Sequence, residues 1–229
     1  MKTFEQFNDL SKEQEIKKRI YEVINYCKLN GWTKSIENKI TEQMPFSKND
    51  CQNFLNANSP NLYDKLGDWK KDTELRVSNG VKEYEPAATK FLDYYFLKII
   101  KEAFGDNKKL KLCDLGCGIG NVIYFSEKLC YDSMGVEKLD IFKEIYKKYN
   151  LNVIVGDLLE IDLSFLNDID VVYMYRPISD IDKLNYLVDK VSNNMKSNSI
   201  LYFNFAPGVK FQKFELMVDF WSSKILVKK

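Results

Sequence analysis

The sequence predicts an α/β fold, in which a doubly wound, mostly parallel sheet of seven strands follows a helical region. Two observations predict it. From about residue 86, strand-like apolar runs alternate with helical stretches, which is typical of a parallel sheet covered by helices on both faces. Residues 213–229 then contain two strand-like runs with a short polar break, which predicts an antiparallel hairpin at one edge of the sheet.

Residues 1–80 form the predicted helical accessory region. Ser11 and Gln14 have the spacing of a capping box, and the apolar residues that follow recur at helical spacing. The change of pattern near residue 80 marks a domain boundary, so residues 81–229 form the second predicted domain. We expect the accessory region to cover the carboxyl ends of the strands and to line the acceptor side of the site.

The second domain begins with a long helix in PAATKFLDYYFLKIIKEAFG. Its predicted strands are, in order, LKLCDL, SMGVE, NVIVGD, DVVYMY, SILYFNF and the two runs of the terminal hairpin. Helical stretches near 119–130, 140–149 and 181–195 separate the first five of these strands. Alternation of this kind predicts a parallel sheet that is covered by helices on both faces.

Composition excludes several classes of protein. The formal net charge of +1 gives no general attraction to nucleic acid or to an anionic membrane. No signal peptide and no apolar run long enough to span a membrane is evident, so the prediction is a cytoplasmic protein without membrane partners.

The chain contains no histidine. Its absence excludes Ser-His-Asp and Cys-His nucleophile systems and every histidine-ligated metal. The five cysteines are scattered and form no CxxC pair, so neither a disulfide framework nor a metal site is predicted. Any general base must therefore be Asp, Glu, Tyr or Lys.

Three glycines, Gly116, Gly118 and Gly120, follow the first strand, which ends near Asp114. Glycine allows a sharp turn and a close approach of a ligand to the backbone. A dinucleotide site would need glycine where Asn121 stands. An acid beside the turn favours a ligand that carries a cation and opposes a pyrophosphate. S-adenosyl-L-methionine (SAM), which carries an ammonium and a sulfonium and no phosphate, fits this turn.

Two further acids stand at the ends of the next strands. Glu137 ends the second strand, where a carboxylate can accept hydrogen bonds from both ribose hydroxyls. Asp157 follows the third strand, where its carboxylate can accept a hydrogen bond from the exocyclic amino group of adenine. The ordered set of glycine turn, first acid and second acid is far more specific than any one of its parts.

The segments LCDLGCGIGN, GVEKLD and VGDLLE resemble the consecutive SAM-binding motifs of class I (Rossmann-like) SAM-dependent methyltransferases. The resemblance covers roughly residues 84–229 and implies a Rossmann-like sheet with an antiparallel last strand. It implies that Asp114 and the glycines lie along the methionine part of SAM, that Glu137 binds the ribose, and that Asp157 and Leu158 lie at the adenine. The full implied contact set is Tyr84, Asp114, Gly116, Cys117, Gly118, Gly120, Asn121, Glu137, Lys138, Asp157 and Leu158.

The acceptor is less well defined. After the fourth strand, YRPI stands where amino-methylating enzymes that act on adenine or glutamine carry a [DNS]-P-P-[YFW] pattern. Tyr175 and Arg176 lie at this carboxyl edge and are the predicted acceptor-selecting, catalytic residues. The alternative for Arg176 is a structural ion pair with Asp180 or Asp182.

Four functional hypotheses follow. The first is a methyltransferase that acts on a small molecule or a protein. The second, an RNA or DNA methyltransferase, is disfavoured by the near-neutral charge. The third is a SAM-binding protein without catalytic activity, and the fourth, an NAD enzyme, is disfavoured by Asn121 and Asp114. The sequence does not define the oligomeric state.

Overall fold

A computed structural model describes residues 14–22, 91–104, 109–118, 120–205, 207–220 and 223–229. Within them, seven strands form one sheet in the order β3-β2-β1-β4-β5-β7-β6. The first five strands are parallel, and β7 runs antiparallel between β5 and β6. The strands are β1 (Lys111–Leu115), β2 (Asp132–Glu137), β3 (Val153–Val155), β4 (Val171–Tyr175), β5 (Ile200–Asn204), β6 (Phe214–Phe220) and β7 (Ser223–Lys228).

The α-helices that accompany the described strands are α1 (Phe91–Phe104), α2 (Asn121–Lys128), α3 (Lys143–Tyr149) and α4 (Ile181–Asn194). Helix α1 precedes β1, whereas α2, α3 and α4 connect β1 to β2, β2 to β3 and β4 to β5. A 3₁₀ helix, Asp140–Phe142, precedes α3, and another, Ser164–Asp168, precedes β4. The predicted Rossmann-like fold with its antiparallel terminal hairpin is confirmed by this strand order.

Alternate side chains of the central strands enter two separate cores. Along β4, Val171 and Tyr173 face the core that also contains α1, whereas Val172 and Met174 face the core that also contains α4. These strands are apolar on both faces because helices cover both faces. The sheet is therefore doubly wound, as predicted.

The described part of the N-terminal region, residues 14–22, is helical, as predicted. Ile16 and Ile20 are fully buried in the same core as α1. Arg19 forms an ion pair with Glu102 of α1, with 2.7 Å between Nη2 and Oε2. The rest of residues 1–80 lies outside the described residues, so the proposed domain boundary and the placement of this region over the strand ends stay predictions.

The parallel strands end at one edge of the sheet, and several polar residues lie at these strand ends. Glu137, Tyr175 and Asn204 are the last residues of β2, β4 and β5. In the described part of the chain, no helix has the length and apolar character needed to cross a membrane.

Gly135 in β2 allows α2 and the preceding loop to pack closely on the sheet. A Cβ at this position would lie 2.5 Å from Ile123 Cδ1 and 2.7 Å from Cys117 Sγ. We expect Gly135→Ala to lower the free energy of unfolding by about 1–3 kcal/mol, because the extra methyl group overpacks this contact. Urea denaturation measures the change.

A double-mutant cycle tests whether this steric contact is the cause. Ile123→Val removes the Cδ1 atom closest to the new methyl group, so Gly135→Ala should cost less in the Ile123→Val background. An equal cost in both backgrounds would contradict the packing explanation.

Candidate functional site

The glycine turn after β1 lies across the carboxyl end of β2. The N–H groups of Gly116 and Cys117 both donate to the carbonyl oxygen of Val136, at 2.8 and 3.0 Å. Gly116 has φ +85°, and Gly120 has φ +90°. Residues other than glycine rarely adopt this left-handed conformation, so the turn chemistry explains why glycine stands at these positions.

The turn also packs against its neighbours where the glycines lack a side chain. A Cβ at Gly116 would lie 2.6 Å from Cβ of Pro177, in the loop after β4. A Cβ at Gly120 would lie 2.6 Å from Leu151 Cδ1. The glycine turn and the loop that carries the predicted acceptor residues are therefore in direct contact.

Glu137 holds the middle of the turn. Its Oε2 accepts the N–H of Gly118 at 2.8 Å, and its Oε1 accepts the N–H of Leu139 at 2.9 Å. The carbonyl of Gly118 accepts the hydroxyl of Tyr146, a buried residue of α3. Both polar groups of Gly118 are thus fixed, one from the end of β2 and one from α3.

Asp114 is buried in β1, with an exposed fraction of 3%. Among the described residues its carboxylate has no hydrogen-bond donor and no cationic partner. Burial raises its pKa well above the ordinary value, and the nearby carboxylates of Glu137 and Asp93 raise it further. The site therefore contains a buried acid that a bound cation would stabilise in its ionised form.

A second buried acid, Asp93 of α1, is well satisfied. It accepts hydrogen bonds from the hydroxyls of Tyr173 and Tyr202 and from the amide of Asn204, the Tyr173 contact measuring 2.9 Å and the Asn204 contact 3.2 Å. Burial and the charge of Asp93 raise the pKa of both tyrosines well above the ordinary value, which keeps them protonated donors. Ser223, at the start of β7, donates to Asn204 and extends the network.

The acid after β3 is partly exposed and paired. Asp157 Oδ2 lies 2.9 Å from the ammonium of Lys138, and Oδ1 accepts the N–H of Leu159 at 2.9 Å. Burial by itself raises the pKa of Asp157, but Lys138 and the Leu159 N–H together lower it below its ordinary value. The hydrogen bond to Asp157 raises the pKa of Lys138, so this pair is charged at neutral pH.

The predicted acceptor residues lie beside β1, at the end of β4. The Tyr175 ring packs against Phe205, with 5.3 Å between the ring centroids. Arg176 has φ +36°, unusual for a residue with a side chain. Its guanidinium donates to the carbonyl of Ser179 at 3.4 Å.

The structural alternative for Arg176 does not form in this structure. Within the described residues, Arg176 pairs with neither Asp180 nor Asp182. Asp180 instead caps α4, where its side chain accepts the N–H groups of Asp182 and Lys183, both at 3.0 Å.

Cys117, in the glycine turn, is buried against Ile123. Burial raises the pKa of its thiol well above the ordinary value, and Asp114 and Glu137 raise it further. A buried, neutral thiol in this position packs against its neighbours and is not an activated nucleophile.

The structure brings most predicted residues to one edge of the sheet. Asp114, the glycine turn, Glu137 and Asp157 with Lys138 and Leu158 follow the ends of β1, β2 and β3, and Asn121 begins α2. Tyr84 lies outside the described residues. Sequence reasoning missed Asp93 and Tyr146, whose only signal is a polar group on the inward face of an amphipathic helix.

The sequence matches no protein-family model and no curated protein. Solved structures show a distant likeness. SAM-bound CalS10, an amino pentose methyltransferase from Micromonospora echinaspora, is 16% identical with a TM-score of 0.43, over 56% of this chain and 58% of CalS10. This chain thus spans less than two thirds of that protein.

Two other solved structures match over more of this chain. A TehB-like SAM-dependent methyltransferase from Corynebacterium glutamicum is 14% identical over 72% of this chain and 99% of its own, with a TM-score of 0.46. SAM-bound magnesium protoporphyrin IX methyltransferase from Synechocystis PCC 6803 is 12% identical over 82% and 100%, with a TM-score of 0.45. Likeness at this level carries no argument about substrates, so the fold rests on the strand order and the function on the site.

The buried Asp114 predicts a specific dependence of stability on pH. Because its pKa is higher in the folded than in the unfolded protein, the folded state holds a proton that the unfolded state releases above about pH 4. This contribution therefore lowers the free energy of unfolding as pH rises. Asp114→Asn should remove the decline, and its stability relative to wild type should increase between pH 5 and 8 in urea denaturation.

Asp168→Asn is the matched control, because Asp168 is exposed and has no described side-chain contact. This variant loses the same charge and should keep the wild-type dependence on pH. Parallel profiles for Asp114→Asn and wild type would show that Asp114 titrates normally in the folded protein.

Proposed function

We propose that the protein is a SAM-dependent methyltransferase that acts on a small-molecule or protein acceptor. The observation that carries the proposal is the buried Asp114, an acid without a described cationic partner, beside a glycine turn in which Gly116 and Gly120 have positive φ angles. A ligand that brings its own cation satisfies this acid, whereas a pyrophosphate would be repelled by it.

The remaining groups fit the other parts of SAM. Glu137 ends β2 and accepts the N–H groups of Gly118 and Leu139, which fix its carboxylate beside the glycine turn. A carboxylate at this position suits the two ribose hydroxyls, because a carboxylate accepts hydrogen bonds and donates none. Asp157 offers an acceptor for the adenine amino group, and the N–H of Leu158 has no acceptor among the described residues. Each acid is thus matched with one part of SAM: Asp114 with the methionine, Glu137 with the ribose and Asp157 with the adenine.

SAM, when bound, supplies a methyl group on a sulfonium, which is already a good leaving group. The residues of this chain need to hold that ligand, orient the acceptor in line with the methyl group and exclude water. A chain without histidine can do this. We place Tyr175 and Arg176 on the acceptor side, because they lie at the end of β4 directly beside β1 and its turn.

Arg176 supports an acceptor with an anionic group. Its half-buried guanidinium has five N–H donors, of which the structure uses one in a long hydrogen bond to Ser179. A carboxylate or phosphate matches the planar donor fork of arginine. The cytoplasmic location predicted from the sequence remains part of the proposal.

Loss of the Glu137 carboxylate tests the cofactor. Glu137→Ala should weaken binding of SAM and of its demethylated product, S-adenosylhomocysteine (SAH), by ~10- to 100-fold, because two charged-acceptor hydrogen bonds are lost. Isothermal titration calorimetry measures both affinities. Glu215→Ala, which removes an exposed acid from β6, is the control and should bind normally. No SAM binding by the wild type would refute the proposal.

The acceptor side is tested by methyl transfer from labelled SAM to a panel of amines, carboxylic acids, phenols, peptides and RNA. On the acceptor found, Arg176→Lys should raise the Michaelis constant or lower turnover, while SAH affinity and melting temperature stay near wild type. Wild-type activity in Arg176→Ala would remove Arg176 from the site. Transfer to RNA alone would favour the nucleic-acid alternative.

A further inference from the structure

The ammonium of Lys190, on α4, holds the turn that follows β3. Its Nζ donates to the carbonyl oxygens of Leu158 at 3.2 Å, Leu159 at 3.0 Å and Ile161 at 2.7 Å. An ammonium has three donors, so one side chain uses its full capacity on a single short segment. The site described above does not account for this concentration of hydrogen bonds.

These carbonyls need an outside donor because the turn is not continued as a helix. The N–H groups of Glu160 and Ile161 both donate to the carbonyl of Asp157, at 2.9 Å each. The carbonyls that follow Asp157 have no donors of this kind within the turn, as at the end of any helical turn. Lys190 supplies the missing donors and adds a positive charge, which strengthens each hydrogen bond.

One peptide group connects Lys190 to Asp157. The carbonyl between Leu158 and Leu159 accepts from Lys190, and the N–H of the same peptide donates to Asp157 Oδ1 at 2.9 Å. Because a peptide group is planar and rigid, fixing its carbonyl fixes its N–H. Lys190 thereby orients the Asp157 carboxylate next to the N–H of Leu158.

We propose that Lys190 is a positioning residue that sets the selectivity of the site for adenine. This inference rests on the proposed function. Adenine presents an amino donor and a ring-nitrogen acceptor side by side, which match the carboxylate of Asp157 and the N–H of Leu158. Hypoxanthine presents an oxygen acceptor and an N–H donor at the same two positions, so it opposes both groups of the protein.

The experiment compares SAH with its deaminated analogue, S-inosylhomocysteine, by isothermal titration calorimetry. Wild type should strongly prefer SAH. Lys190→Met keeps most of the side-chain length and removes the donors. This variant should bind SAH about tenfold more weakly, and the ratio of its affinities for SAH and S-inosylhomocysteine should be smaller than in wild type. Lys190→Arg should recover part of the ratio, because a guanidinium can donate to several carbonyls.

Lys183→Met is the matched control on the same helix. Lys183 is exposed, and its charge contributes to the lowered pKa of Asp157 without a described side-chain hydrogen bond. This variant loses the same charge and leaves the turn intact. Its SAH affinity, and the ratio of its affinities for SAH and S-inosylhomocysteine, should stay within about twofold of wild type. A loss equal to that of Lys190→Met would assign the effect to charge and overturn the positioning role.

Hydrogen exchange gives a readout without a ligand. The Leu159 amide, which donates to Asp157, should exchange at least several-fold faster in Lys190→Met than in wild type. An unchanged exchange rate, or an equal loss of affinity for both ligands, would overturn the inference and leave a purely structural role. Absence of SAH binding by the wild type would instead refute the proposed function itself.

Discussion

Three carboxylates meet in the interior at the carboxyl edge of the sheet, and the electrostatic cost of burying them constrains the rest of the site. Asp93 is stabilised by three side-chain donors, and Glu137 accepts two backbone N–H groups. Asp114, between them, has no described donor. A buried charge without a partner is costly, so the fold stabilises two of these acids with its own donors and leaves Asp114 without a described donor.

The same constraint gives the backbone of the glycine turn its shape. Glu137 is satisfied only if the N–H of Gly118 points toward it, and Tyr146 holds the other side of that residue. Gly116 then approaches Pro177 so closely that no side chain fits between them. Through this contact, the geometry of the glycine turn and that of the loop after β4 depend on each other.

A site without histidine must obtain its effect from position more than from proton transfer. Of the three buried acids, Asp93 and Glu137 are held by donors, and Asp114 has no described donor. None of them is exposed at the end of β4, where the acceptor is proposed to bind. Arg176 supplies the positive charge at that point, and its left-handed backbone is the type of strain that concentrates at functional sites.

The sequence by itself determined the seven strands, their mostly parallel arrangement and the placement of Asp114, the glycine turn, Glu137 and Asp157 at one edge. Apolar periodicity, glycine turns and strand ends are local signals, so they can be detected along the chain. Only the tertiary structure decided that Asp93, Tyr146 and Lys190 serve this edge. Each lies on a helix whose sequence is unremarkable, and its role depends on the strand or turn against which that helix packs. The hydrogen bonds of Lys190 span about 30 residues of sequence, a separation over which no local pattern carries information.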